Sequence, residues 1–494
     1  MPRHRWNAAF WLTTRPSSPE PLGLVAAVVP VATLVGLLGL SFFLFGDSAA
    51  GGPNQVALVF CSLVAVYVAW RHGHSVADIR DAAVASVNTG LTAIFILLAV
   101  GSLIGTWALS GTLIAMVYYG LKLLSPDYFY MTACLICAVI ALSIGSSWTV
   151  AGTIGIGLMG IADKMGLDPA ITAGAVISGA YFGDKSSPLS DTANLACAAA
   201  GSNLYDHVRE SLWTSAPSIA IALALFWSLG SAGDFDASAV ASRIEAAYHP
   251  SLVHFLPLVL VLVLALLRWP PFVTVFLGAL AGGLLAVMIA PERVVALAGS
   301  GHSTGLLLIK GVWAALATGN VSTTGEPAVD QLLSRGGMES MLGTVWLILV
   351  ALAFGGIVEK AGVLERLIRP VIAAARSVGA LITTLVGAAI ATNVLASDQY
   401  IAVVLPGRMF RSAFQERGLA PVVLSRALGD SGTVTSPLIP WNSCGAYMAA
   451  TLGVATTAFL PFCFFNLLNP LVTIAFAYLG VRMLASPPSG ALSD

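Results

Sequence analysis

The chain has 494 residues, 57% of them hydrophobic and 10% charged, with a net charge of −1. Soluble domains carry about 25% charged residues, so a water-soluble fold is excluded. The net charge says nothing about nucleic acid, and no basic block suggests it as a partner. Mean hydropathy is +0.88, and apolar runs long enough to cross a bilayer as helices recur from end to end. The short alternating segments of a membrane β-barrel are absent.

In chain order, residues 1–20 read as a tail holding Arg3, Arg5 and Arg15, followed by a first apolar run over 21–46. That run is too long for the apolar region of a signal peptide and reads as a retained span. The next loop, GDSAAGGPN, has no Lys or Arg, whereas Arg71 and Arg80 follow the second run. The positive-inside bias therefore puts the N-terminus in the cytoplasm. Residues 21–230 form a first membrane half and 251–482 a second, with a polar connector at 231–250 and a tail at 483–494. Within the connector, ASAVASRIEAAY reads as a short surface helix with Asp236 as its N-cap candidate. Cys134 and Cys137 form a C-x-x-C on an apolar helix, where two small packing residues are expected rather than redox or metal chemistry.

The two halves match each other. ILLAVGSLIGTWALSGTL (96–113) resembles LILVALAFGGIVEKAGVL (347–364), which sets Gly105 on Gly356 and Gly111 on Gly362. At the same offset SIGSSWTVAG meets VLASDQYIAV, pairing Ser146 with Ser397 and Ser147 with Asp398. Slightly out of that register, GDKSSPLSDTAN (183–194) meets GDSGTVTSPLIPWNS (429–443). Basic residues fall on opposite ends of matching segments. Arg71 and Arg80 precede the span that ends near Leu109, but Lys360, Arg366, Arg369 and Arg376 follow its partner. An inverted-topology repeat has this charge pattern.

Such repeats place their binding site where broken helices meet near the bilayer midplane. The segments 183–194 and 429–443 have the Gly, Pro and hydroxyl content that breaks need, with Gly183, Pro188, Gly429 and Pro437 as break candidates. Asp184, Asp191, Asp398 and Asp430 lie in or beside the breaks. A carboxylate at the bilayer centre costs about 2.5–3.5 kcal/mol on insertion scales, so such groups mark function by default. Sodium is a hard cation that prefers oxygen donors, and the same carboxylates would take a proton when it leaves. Lys185 reads as a structural residue or a snorkelling anchor. No phosphate-binding loop or nucleotide fingerprint occurs, so the chain reads as no enzyme and an ion gradient as its energy source.

GDKSSPLSDTANLA and GDSGTVTSPLIPWNSCGAYMAATLGV resemble the signature segments of NhaC-type sodium/proton antiporters, and the resemblance covers most of the chain. It implies a secondary carrier of a bacterial inner membrane that exchanges cytoplasmic sodium for external protons. It implies no cofactor: sodium and protons are the transported partners, the bilayer is the surroundings, and a homo-oligomer is compatible. The architecture it implies is all-α and polytopic, two inverted repeats with broken helices and re-entrant hairpins, about 10–12 transmembrane helices in all. By resemblance the ion-binding residues are Asp184, Ser187, Asp191, Thr192 and Asn194 from the first motif, and Asp430, Thr435, Ser436 and Asn442 from the second. Asp398 joins them through the repeat match. The alternative within the family is a sodium- or proton-coupled carboxylate carrier of the malate/lactate type, or an amino-acid carrier.

Overall fold

The computed structural model describes residues 22–230, 237–322, 330 and 333–485. Arg3, Arg5, Arg15, Asp236 and most of the C-terminal tail lie outside the described residues. Among those described, regular structure is helical apart from one isolated bridge between Leu419 and Ala485.

The first half runs α1 (Leu24–Phe45), α2 (Pro53–Arg71), α3 (Val76–Thr89), α4 (Leu91–Ser110), α5 (Thr112–Leu123), α6 (Phe129–Ile144), α7 (Ser147–Val150), α8 (Ile156–Lys164), α9 (Pro169–Ser186), α10 (Asp191–Ala200) and α11 (Leu204–Ser228). Next come α12 (Ala237–Tyr248), α13 (Leu256–Leu266), α14 (Pro271–Ile289), α15 (Pro291–Ala298) and α16 (Thr304–Ala317). The remainder is α17 (Leu342–Lys360), α18 (Val363–Ala374), α19 (Val378–Ala396), α20 (Gln399–Glu416), α21 (Pro421–Leu428), α22 (Ser443–Leu452), α23 (Thr456–Phe459) and α24 (Phe464–Tyr478). Among the described residues, eight helices are long and apolar enough to cross a membrane, and Ser443–Leu452 with Thr456–Phe462, bent by 92°, make a ninth candidate. Thr112–Leu123 and Phe464–Tyr478 are apolar but too short to span alone. The chain is a multi-span helical membrane protein.

Where helices stop, residues 91–201 and 342–453 use the same devices in the same order. α4 ends at Gly111 (φ 81°) and α17 is followed by Gly362 (φ 74°), both left-handed. α6 closes on left-handed Gly145 and α19 on left-handed Ser397. The next residue caps the next helix: the Ser146 side chain accepts from the Thr149 N–H, and Asp398 from that of Ile401. α9 and α21 both open on proline, α10 and α22 are capped by Ser190 and Asn442, and both end on left-handed Gly201 and Gly453.

These caps shift the match read from sequence. Gly145 pairs with Ser397 and Ser146 with Asp398, one residue away from the sequence pairing. In the register set by the prolines and caps, Ser178 rather than Asp184 stands opposite Asp430. The Gly-Asp pairs are therefore alike in sequence but not in place.

Gly183 is also not a break. It lies inside α9, which runs on to Ser186, and a Cβ on it would sit 2.4 Å from the Leu142 nitrogen. Gly179 is tighter still, at 2.0 Å from the Cys134 carbonyl oxygen. Small residues here let α6 and α9 approach backbone to backbone, as packing between membrane helices favours. The break begins at Ser187, which is extended (φ −87°, ψ 134°) because it precedes Pro188. In the second half the break begins as a π-turn, Gly429–Thr433, and passes through a short turn at Ser436–Leu438 that contains Pro437.

Candidate ion-binding site

Asp184 occupies the last turn of α9, where the backbone dipole disfavours a negative charge. Its compensation comes from two helix starts. The Ser147 backbone N–H (3.2 Å) and hydroxyl (2.6 Å) donate to Oδ2, and the Ser190 hydroxyl (2.6 Å) donates to Oδ1. Ser147 is the first residue of α7, so its N–H is one of the unpaired donors that open a helix and favour an anion. Ser190 also caps α10, accepting from the Ala193 N–H at 3.3 Å. The two segments broken in the first half thus meet on one carboxylate.

Asp191 begins α10, where the dipole favours it, and accepts from the Tyr400 hydroxyl at 2.6 Å. Asp398 caps α20 through the Ile401 N–H at 3.0 Å. The carbonyl of neighbouring Ser397 accepts from the Ser443 N–H at 3.0 Å, which joins this break to the start of α22.

Asp184, Asp191 and Asp398 converge on one cavity of about 140 Å³, together with Thr192, Gln399 and Tyr400. Thr89, Thr92, Ser146, Trp148, Ser443 and Cys444 complete its polar and aromatic wall. Among the described residues no Lys, Arg or His lines it. A wider cavity of about 450 Å³ shares Thr89, Asp191, Asp398 and Tyr400 with it and is bounded by Glu359 and Arg408. Among the described residues no three His, Cys, Asp or Glu side chains close on one point. A small cation there would take one carboxylate at a time, completed by hydroxyl, amide and carbonyl oxygens.

The remaining expected residues stand elsewhere. The Ser187 hydroxyl accepts from the Leu189 N–H at 3.2 Å, and the Asn194 amide donates to the Ser190 carbonyl at 2.8 Å, so both shape the first break. The Asn442 amide donates to the Asn393 carbonyl and side-chain oxygens, both at 3.1 Å. Asn393 in turn donates to the Gly432 carbonyl (2.8 Å) and to Thr435 (3.0 Å), while Thr435 donates to the Ser431 carbonyl (2.7 Å). Together these side chains satisfy backbone groups that the π-turn leaves without helical partners. Ser436 donates to the Gln399 side-chain oxygen at 3.2 Å and so bears on the cavity at one remove.

Asp430 is fully buried in a separate network, ion-paired to Lys185. Lys185 has 1% of its surface exposed, so it neither snorkels to an interface nor pairs with adjacent Asp184. Sequence reasoning missed Ser146, Ser190, Gln399, Tyr400 and Ser443 as cavity or carboxylate partners. All five lie inside the stretches it singled out, but ranking by charge passed over them.

A model of the Na+/H+ antiporter family matches residues 179–481. The chain belongs to the Na+/H+ antiporter family. It is 36% identical to the Na(+)/H(+) antiporter NhaC of Alkalihalophilus pseudofirmus over 86% of this chain and 90% of that protein. It is 34% identical to the arginine/ornithine antiporter ArcD of Halobacterium salinarum, over 94% of this chain and 93% of that protein. It is 32% identical to the malate-2H(+)/Na(+)-lactate antiporter of Bacillus subtilis, over 90% and 92% respectively. For this member of the family, the composition of the cavity bears directly on which cargo fits.

Proposed function

We propose that the chain exchanges cytoplasmic sodium for external protons across a bacterial inner membrane, through the cavity of Asp184, Asp191 and Asp398. The observation that carries this reading is the lining itself, three carboxylates and several neutral oxygens with no cationic side chain among the described residues. Such a wall attracts a cation and repels a carboxylate. Its volume of about 140 Å³ is also below the roughly 300–1,000 Å³ of pockets that enclose organic ligands. A malate- or lactate-type cargo would need a positive anchor beside these carboxylates; Lys185 is already paired with Asp430, and Arg408 lines only the wider cavity.

Sodium binding requires an ionised carboxylate, so sodium and protons compete for the same oxygens, and alternating access converts that competition into exchange. Ser146, Thr192 and Ser443 supply further hard donors. The matched turns and the opposed charge bias support two inverted repeats, 21–230 and 251–482. With the N-terminus cytoplasmic, the positive-inside bias puts the basic end of α17 at Lys360, and with it the wider cavity at Glu359 and Arg408, on the cytoplasmic side.

The test is purified protein in liposomes loaded with a pH dye. Sodium alone is expected to drive proton movement. If sodium alone moves none but malate, lactate or arginine does, the cargo reading is wrong.

A further inference from the structure

Asp430 holds four donors. Its Oδ1 accepts from Thr214 (3.0 Å), Asn469 (2.8 Å) and the Lys185 ammonium, and its Oδ2 accepts from Thr473. Lys185 also donates to Ser215 at 2.7 Å. A carboxylate offers about four lone-pair sites, two on each oxygen, so these partners saturate Oδ1 and leave Oδ2 a single one. Neither Lys185 nor Asp430 lines the cavity at Asp184.

Their places in the chain explain the arrangement. Lys185 follows Asp184 directly in the last turn of α9, and Asp430 sits in the π-turn Gly429–Thr433. A final helical turn and a π-turn are both weakly held segments, each lacking part of the regular backbone ladder. The pair bolts one to the other, and to α11 and α24 through Thr214, Ser215, Asn469 and Thr473. We propose that Lys185 and Asp430 are positioning residues: their buried ion pair fixes the last turn of α9 so that Asp184 presents its carboxylate to the cavity. The inference rests on Asp184 being an ion ligand and moves Asp430 from ligand to support.

Removing one member of a buried pair strands the other charge, whereas removing both leaves nothing unpaired. That difference separates a positioning pair from an ion ligand. Uptake of radioactive sodium into proteoliposomes, measured against sodium concentration, reads it. K185Q and D430N are each expected to raise half-saturating sodium about tenfold or more. The K185Q/D430N double variant is expected to return within about threefold of the unaltered protein, a strongly non-additive result. The charge moved per sodium should stay the same in the double variant. If the double variant is as defective as D430N, Asp430 handles the ion or proton itself and the proposal falls. It also falls if either single variant keeps normal half-saturation.

Where the single variants fail to fold, T473V removes one hydrogen bond from Asp430 without changing charge. It should raise half-saturating sodium about threefold, as loss of a modest hydrogen bond would, and an unchanged value refutes the proposal. D184N is the parallel control. Normal exchange in D184N would defeat the ion-site reading itself, whatever the pair variants do.

Discussion

Ser190 serves two masters, capping the start of α10 with its oxygen and holding Asp184 with its proton. Losing an N-cap costs about 1 kcal/mol, and losing a hydrogen bond to a charged acceptor about 1.5–3 kcal/mol. S190A should therefore lower the melting temperature in detergent and raise half-saturating sodium by about tenfold or more. S143A is the matched control: its hydroxyl only donates back to the Val139 carbonyl on the exposed side of α6, and neither quantity should move. D184N should abolish sodium-dependent proton flux while protein still reaches the membrane. Residue types were legible at this scale, because an acid in an apolar stretch announces itself. The partners were less so: Tyr400 and Ser147 reach their carboxylates from other helices, and hydroxyls carry no signal of their own in sequence.

Between helices, turn geometry decides where side chains point. Gly145 is left-handed, and a Cβ on it would lie 2.6 Å from the Leu189 carbonyl carbon and 2.8 Å from the Ser190 nitrogen. G145A must push the first break away from α6, and Ser190 with it. Strain of this kind costs about 1–3 kcal/mol, so melting temperature should fall and half-saturating sodium should rise together. At the matching turn, Ser397 (φ 59°) bears the left-handed conformation with a side chain, and its buried hydroxyl has no hydrogen-bond partner. S397G relieves about 1–2 kcal/mol of left-handed strain, offset by the roughly 0.5–1 kcal/mol entropy cost of glycine. Stability should hold or rise slightly, with sodium affinity unchanged because Ser397 does not line the cavity. A large loss of affinity would instead make its hydroxyl a ligand. Sequence likeness misled most at this scale. Two Gly-Asp/Ser-Pro-Leu motifs look equivalent, yet α9 stays regular through its Gly-Asp while the second motif opens a π-turn there. One motif turns its acid to the cavity, the other to a lysine, and only packing of the whole chain distinguishes them.

For the whole molecule, composition alone identified a helical membrane protein, because a chain so poor in charge has no other stable home. Which cavity faces which side is set by tertiary placement. Besides the cavity at Glu359 and Arg408, a second of about 350 Å³ is lined by Phe42, Gly51, Thr344 and Thr457. Between it and the carboxylates lies α22, which gives Ser443 and Cys444 to the ion cavity and Ala446 and Ala449 to the other. Trp148, on the wall of the ion cavity, stacks on Tyr447 of α22 at 3.9 Å, and the Tyr447 hydroxyl donates to the Trp148 carbonyl at 2.8 Å. Phe42 lies in the last turn of α1, so with the N-terminus in the cytoplasm, as proposed, the cavity at Thr457 is expected to face the outside. All six native cysteines are free and buried, so an impermeant thiol reagent meets little background. Such a reagent should modify the Leu195→Cys variant in inside-out vesicles and the Thr457→Cys variant in right-side-out vesicles. Modification of both from one face would overturn the inverted arrangement, since the two cavities would then open to the same side. Sodium should slow the reaction of Leu195→Cys, whose side chain shares its cavity with Asp191 and Asp398, and leave that of Thr457→Cys unchanged.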